Sequence, residues 1–115
     1  MAKLAFVTLY EGREIRRFWC PGCRSIHDIS VNSGAWTWNG DEDRPTVMPS
    51  IKVEGKLPLN DDEYEAVIRG ERVVTHPFVC HSFVTDGRIK FENDSTHSLA
   101  GQTVDLEDVD EKHFT

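Results

Sequence analysis

Cys80-His81-Ser82-Phe83-Val84-Thr85-Asp86-Gly87-Arg88-Ile89-Lys90-Phe91-Glu92-Asn93 is the stretch that decides the fold. Asp-Gly between two alternating runs is a strong signal for a two-residue hairpin turn, so a hairpin is predicted over residues 80–92. A turn at Asp86-Gly87 fixes the pairing: Thr85 faces Arg88, Val84 faces Ile89, and so on outward. Cross-strand partners share a sheet face. Cys80, Ser82 and Val84 therefore lie with Ile89, Phe91 and Asn93, while His81, Phe83 and Thr85 lie with Arg88, Lys90 and Glu92. The first set is the more apolar and is expected to point inward. Cys80 becomes an inward cysteine, and its neighbour His81 an outward histidine beside Glu92.

Upstream, residues 3–10 and 14–19 read as two strands around a Glu-Gly turn, and 26–31 as a third. Residues 35–39 place Trp36 and Trp38 on one face of a short strand that ends at the Asn39-Gly40 turn. Pro45 and Pro49 exclude a central strand over 41–50, so that segment is expected to be an ordered loop or an edge, with 51–53 extended. One helix is signalled at about 60–70. Asn60 caps it, Glu63 stands at capping-box spacing, and Tyr64, Val67 and Ile68 form an apolar stripe. Residues 72–79 read as a strand weakened by Pro77, 93–101 as irregular, and 103–106 as a last strand. The expected fold class is α+β, mostly β, with a single zinc-stabilised domain over residues 1–106 and an acidic tail over 107–115 that frays.

Composition narrows the partners. The chain has 115 residues, 38% of them hydrophobic, and a formal charge of -7. That length suits one domain with a modest core, a size at which metals or disulfides often supplement packing. The acidic balance disfavours binding to a nucleic-acid backbone. No apolar run is long enough to span a bilayer, and the start, Met1 to Thr8, fits a first strand better than a signal peptide. Three cysteines cannot all pair within one molecule, so reduced thiols in a cytoplasm are expected.

Two of those cysteines form Cys20-Pro21-Gly22-Cys23, half of a metal knuckle. A tetrahedral zinc needs two more ligands, and Cys80 is the remaining cysteine. His97 lies four residues past Asn93, the residue opposite Cys80, where a loop can carry an imidazole back over it. The predicted ligands are therefore Cys20, Cys23, Cys80 and His97 around a structural Zn2+, with His81 or His27 as the alternative fourth ligand. A redox CxxC commonly opens a helix, whereas Arg24 to Val31 is extended in character. With four protein ligands the metal is structural; with three, the open position could carry water and chemistry.

Phe18 to Cys23, Trp36 to Gly40, Pro45 to Ile51, Cys80 to Ile89 and Asp94 to Leu106, in this order, resemble a family of small phage and prophage proteins often labelled "ammonia monooxygenase". The label fails physically, because that enzyme class is a large membrane-embedded copper system. The resemblance implies a phage gene expressed in the cytoplasm of a bacterial host. Some members of that family carry a further cysteine where this chain has Pro77.

Other chemistry is sparse. Asp94, Thr96 and His97 with Ser82 could form an acid–base–nucleophile group, but Asp94-Ser95-Thr96 reads better as an Asx-type turn. No nucleophile elbow, phosphate loop or HExxH helix is present. No catalytic residue is assigned, and the chain is expected not to be an enzyme. The expected function is a phage-encoded zinc-binding accessory protein that acts as an interaction module on a host or phage macromolecule, most simply a protein. The alternative is a small zinc-dependent hydrolase or other metalloenzyme.

Overall fold

A computed structural model describes residues 2–56, 59–73 and 76–110. The elements run β1 Ala5–Tyr10, β2 Arg13–Cys20, β3 Ser25–Ser30, β4 Thr37–Trp38, β5 Val47–Lys56, α1 Asp61–Ile68, β6 Pro77–Thr85, β7 Arg88–Phe91 and β8 Thr103–Asp105. They form two antiparallel sheets, one ordered β1-β2-β3 and the other β4-β5-β6-β7-β8. The expectation of a mostly β domain with one short helix holds.

The decisive hairpin has the expected register: Thr85 pairs with Arg88, Val84 with Ile89, and Ser82 with Phe91. Asp86 at φ 51° and Gly87 at φ 77° both occupy the left-handed region that a two-residue hairpin turn requires. Cys80, Ser82, Val84, Ile89 and Phe91 are buried, whereas Phe83, Thr85, Arg88 and Lys90 are exposed and His81 is half-buried. Asn93 was grouped with the inward face but is exposed, because β7 stops at Phe91 and the chain turns away. Phe18, Cys20 and Ile29 of the first sheet join Val47, Ile51, Cys80, Val84, Ile89 and Phe91 of the second in one core. The core thus lies between the sheets, and two of the three cysteines are at its centre.

Two segments differ from expectation. The proline-marked stretch enters a long strand rather than ending as a loop. Between the pairs Val47–Val84 and Ile51–Ser82, residues Met48, Pro49 and Ser50 oppose Phe83 alone. Pro49, which lacks an N–H, is tolerated inside this bulge. Helix α1 has the capping box read from sequence, with Glu63 N–H donating to Asn60 Oδ1 at 2.8 Å and Asn60 N–H donating to Glu63 Oε1 at 3.1 Å. Its apolar stripe is nevertheless open to solvent: Tyr64, Val67 and Ile68 are exposed and none of its residues is buried.

Of the strand read over 72–79, Val74 and Thr75 lie outside the described residues, and β6 begins at Pro77. Beyond β8, Leu106 N–H donates to Gly87 O at 3.0 Å and Val109 N–H to Ala2 O at 2.8 Å. Val109 is buried, so the acidic segment is held against the domain as far as it is described.

Ile89→Ala should cost about 2–5 kcal/mol in chemical denaturation, because Ile89 is fully enclosed between the sheets. Ile68→Ser on the open face of α1 should change stability by about 0.5 kcal/mol or less.

Candidate active site and metal centre

β2 ends at Cys20 and β3 begins at Ser25, its register partner, so the Cys-Pro-Gly-Cys knuckle is itself the turn of a hairpin. Arg24 adopts φ 53° and donates its N–H to Cys20 O at 2.8 Å, closing the turn. Cys23 N–H points at Cys20 Sγ, 3.4 Å away. Cys80, coming inward from β6, places its Sγ 3.7 Å from that of Cys20. His27 lies on β3 opposite Phe18, and their rings are tilted at 5.3 Å between centroids. The ligand atoms of Cys20, Cys23, His27 and Cys80 all lie within 4.8 Å of one another.

The chemistry of this group fits a cation. His27 Nε2 is buried with no hydrogen-bond partner among the described residues, a costly arrangement for an imidazole nitrogen unless something accepts or binds it. The three thiols shift one another in opposite directions. Hydrogen bonds from Cys23 and then Cys80 hold the Cys20 thiol far below its ordinary range. The same bonds push Cys23 up to about 12 and Cys80 well above its ordinary value, and burial adds to both. A divalent cation between the sulfurs removes that conflict, since thiols that coordinate a metal are deprotonated outright. The four residues can therefore hold a metal ion.

His97, the fourth ligand expected from sequence, lies outside this group. Its ring stands edge-on to Phe91 at 4.4 Å, and its Nδ1 accepts Leu99 N–H at 3.2 Å. It also lies directly over Gly22, where an added Cβ would come within 2.4 Å of the imidazole. The knuckle needs glycine here to let His97 pack, and that packing turns Nδ1 toward the backbone. His97 Nε2 is likewise buried with no hydrogen-bond partner among the described residues. His81, the other alternative, points away from the cysteines.

His81 instead completes a different arrangement. Its Nε2 lies 3.0 Å from Ser50 Oγ, and its Nδ1 lies 3.1 Å from Asp94 Oδ1 and 3.2 Å from Oδ2. Three elements converge to build it. Ser50 leaves the bulge of β5 on the outward face, a re-aiming that bulges commonly perform beside active sites. His81 projects from the outward face of β6, as hairpin phase requires. Asp94 lies in the turn after β7, and its neighbours fasten that turn to β6. His81 N–H donates to Ser95 Oγ at 3.0 Å, Glu92 N–H donates to His81 O at 2.8 Å, and Thr96 N–H donates to Val79 O at 2.8 Å. Lys52, opposite His81 on β5, brings its Nζ within 3.8 Å of Asp94 Oδ2. The His81 side chain is 24% exposed and that of Asp94 49%, so the group opens to solvent.

The acid–base–nucleophile group disfavoured on sequence is not formed: Ser82 is buried on the inward face, and His97 packs on Phe91 and Gly22. The contacts run instead from Ser50 to His81 to Asp94, and Asp94 is the one member common to both groupings. Ser50 was missed because its contact with His81 depends on β5–β6 pairing across a helix and on a bulge that no local signal announces. The outward direction of His81 was legible and is the clue that could have led there.

A family model described as "Bacterial ubiquitination-like system serine protease (BubE)" matches residues 2–92. The chain belongs to the BubE family. A search of curated proteins and a search of solved structures returned no match. The BubE match contains Ser50, His81 and all four residues of the metal group, and ends two positions before Asp94. The description names a bacterial ubiquitination-like system, and neither a phage nor ammonia oxidation. It overturns the expected function as a phage zinc-binding interaction module, and with it the alternative of a metal-catalysed hydrolase. Among the described residues no helix is long and apolar enough to cross a membrane.

His27→Ala should lower metal affinity by more than the ~10–100-fold typical of losing a group that merely supports a ligand, with metal content measured by inductively coupled plasma mass spectrometry. His97→Ala should retain the metal. The opposite pattern would make His97 the fourth ligand.

Proposed function

We propose that this BubE chain is a serine protease in which Ser50 is the nucleophile, His81 the general base and Asp94 the group that orients His81. The observation that carries this is the pair of contacts on one imidazole: Ser50 Oγ at 3.0 Å from Nε2, and Asp94 Oδ1 at 3.1 Å from Nδ1. The family description supports the reaction class. The polarity follows from the donors. Nδ1–H donates to the Asp94 carboxylate, which leaves Nε2 as the acceptor for the Ser50 hydroxyl proton.

Ser50 Oγ attacks the carbonyl carbon of the scissile amide while its proton passes to His81 Nε2. The resulting imidazolium is stabilised by Asp94. His81 then returns the proton to the leaving amine as the C–N bond breaks, giving an acyl ester on Ser50. Water, activated by the same histidine, hydrolyses that ester and regenerates the hydroxyl. The clamp from Ser95 and Glu92 onto the His81 backbone keeps the imidazole between its two partners.

The metal is read as zinc, held by Cys20, Cys23, Cys80 and His27, with a structural role. Zinc–sulfur bonds of about 2.3 Å in a tetrahedron require sulfurs about 3.8 Å apart, and Cys20 and Cys80 are 3.7 Å apart. Four protein ligands leave no open position for water. When bound, the ion supplies cross-linking between the β2–β3 hairpin and β6.

Ser50→Ala and His81→Ala should each reduce peptide hydrolysis by about 10^4-fold or more without changing the melting temperature. A fluorophosphonate should form a single adduct on Ser50. Asp94→Asn should cost less than the ~10^4-fold seen when a buried triad aspartate is replaced, because Asp94 is half open to water. Wild-type activity in Ser50→Ala would exclude the assignment.

A further inference from the structure

β5 carries Ser50, and directly downstream of it one edge of the strand is unpaired among the described residues. The direction of its backbone groups follows from what β6 does on its far side. Val79 donates its N–H to Thr96 Oγ1 at 3.0 Å and accepts Thr96 N–H at 2.8 Å. His81 donates to Ser95 Oγ at 3.0 Å and accepts Glu92 N–H at 2.8 Å. Val79 and His81 thus turn their backbone groups away from β5. In an antiparallel ladder hydrogen-bonded and non-hydrogen-bonded pairs alternate. The pairs Glu54–Val79 and Lys52–His81 are therefore non-bonded, while Val53–Cys80 and Ile51–Ser82 carry the ladder.

Lys52 and Glu54 consequently direct their N–H and C=O groups to the other edge of β5. There, β4 reaches only as far as Met48. The Ser50 carbonyl, with the same parity, is taken by Trp36 Nε1 at 3.3 Å. Beyond it, no hydrogen bond to the backbone groups of Lys52 or Glu54 is present among the described residues. Among the described residues, no atom lies within 4 Å of where a Cβ on Gly55 would stand. Charged side chains on an edge ordinarily guard against aggregation, and Lys52 and Glu54, paired at 3.0 Å, fit that role. An edge that leads along the same strand to a candidate nucleophile has a second use.

We propose that this edge is the substrate-binding site, and that the protease takes its substrate as an extended polypeptide segment added as a strand beside Lys52 and Glu54, which runs the chain to Ser50. This rests on the serine-protease assignment. Strand addition draws affinity from main-chain hydrogen bonds and specificity from side-chain pockets. The substrate class is therefore an unfolded tail or linker of a protein, bound through its backbone. A folded sheet or helix, whose backbone is already paired, is excluded until it opens.

The probe is fluorescein-labelled casein, an unfolded polypeptide, and the readout is its cleavage rate divided by the rate of fluorophosphonate labelling of Ser50. Glu54→Pro removes the outward N–H without touching the β5–β6 ladder, and proline is tolerated on a strand edge. The ratio should fall about tenfold in Glu54→Pro, as expected from losing one hydrogen bond of the usual strength plus the added bulk, and should be kept in Glu54→Ala, which retains the N–H. An unchanged ratio in Glu54→Pro overturns edge binding. So does casein left intact by a protein whose Ser50 still labels, and in both cases the triad stands. Failure of Ser50 to label at all removes the triad assignment and this inference with it. If Glu54→Pro fails to fold, peptides carrying single backbone N-methyl groups decide the matter: sensitivity at every second position supports strand addition, and a flat response overturns it.

Discussion

Successive side chains on a strand point to opposite faces, and on β6 that constraint divides the molecule's two chemistries between neighbouring residues. Cys80 enters the core and meets Cys20; His81 leaves it and meets Ser50. A shift of one residue in the register of β6 would send the cysteine to solvent and the histidine into the core, and both sites would be lost together. The Asp86-Gly87 turn fixes that register, with the buried run Val84, Ile89 and Phe91 as the energetic reason to keep it. The metal group and the triad are thus two readouts of one hairpin.

Burial of its inward face and hydrogen bonds to its backbone fix β6 under His81. The inward side is pinned through Cys80 to the knuckle of the other sheet. The backbone is pinned at His81 by Ser95 and Glu92, and at Val79 by Thr96. A catalytic imidazole must be held to within about 0.5 Å of its productive position, and a domain of this size has little core with which to do so. A metal ion held by Cys20, Cys23, His27 and Cys80 would tie the β2–β3 hairpin to β6 from behind, away from Ser50 and His81.

Much of the fold was legible because its signals are local. The Asp86-Gly87 turn, the alternation on either side, the Glu11-Gly12 turn and the Asn60–Glu63 capping box each involve residues close in sequence, and each appears as read. The site was legible only in pieces. Cys20, Cys23 and Cys80 were singled out by residue type, and they do come together. The choice among histidines was not local. His27 reaches the cysteines because β3 folds back along β2, whereas His97 is held by Phe91 and Gly22. Ser50 was hidden most deeply: Pro45 and Pro49 argued against a strand, yet the bulge that holds Pro49 is what turns the Ser50 hydroxyl toward His81. The apolar stripe of α1 misled in the other direction, since amphipathic spacing did not imply burial.

The placement of the two sites also decides which of them can react with a polypeptide. The sulfurs lie between the sheets, where Cys20 and Cys80 are almost fully enclosed. A substrate backbone could reach them only by separating the sheets and exposing Phe18, Ile89 and Phe91. Ser50, His81 and Asp94 lie on the outer face of the second sheet, beside a strand whose Lys52 and Glu54 backbone groups have no hydrogen-bond partner among the described residues. Water and an extended chain can both arrive there without disturbing the core. The family's description as a serine protease and the thiolate-rich metal group are therefore compatible in one small domain. On the proposed assignment, the strand between them keeps the metal group on the core side and Ser50 on the side open to solvent.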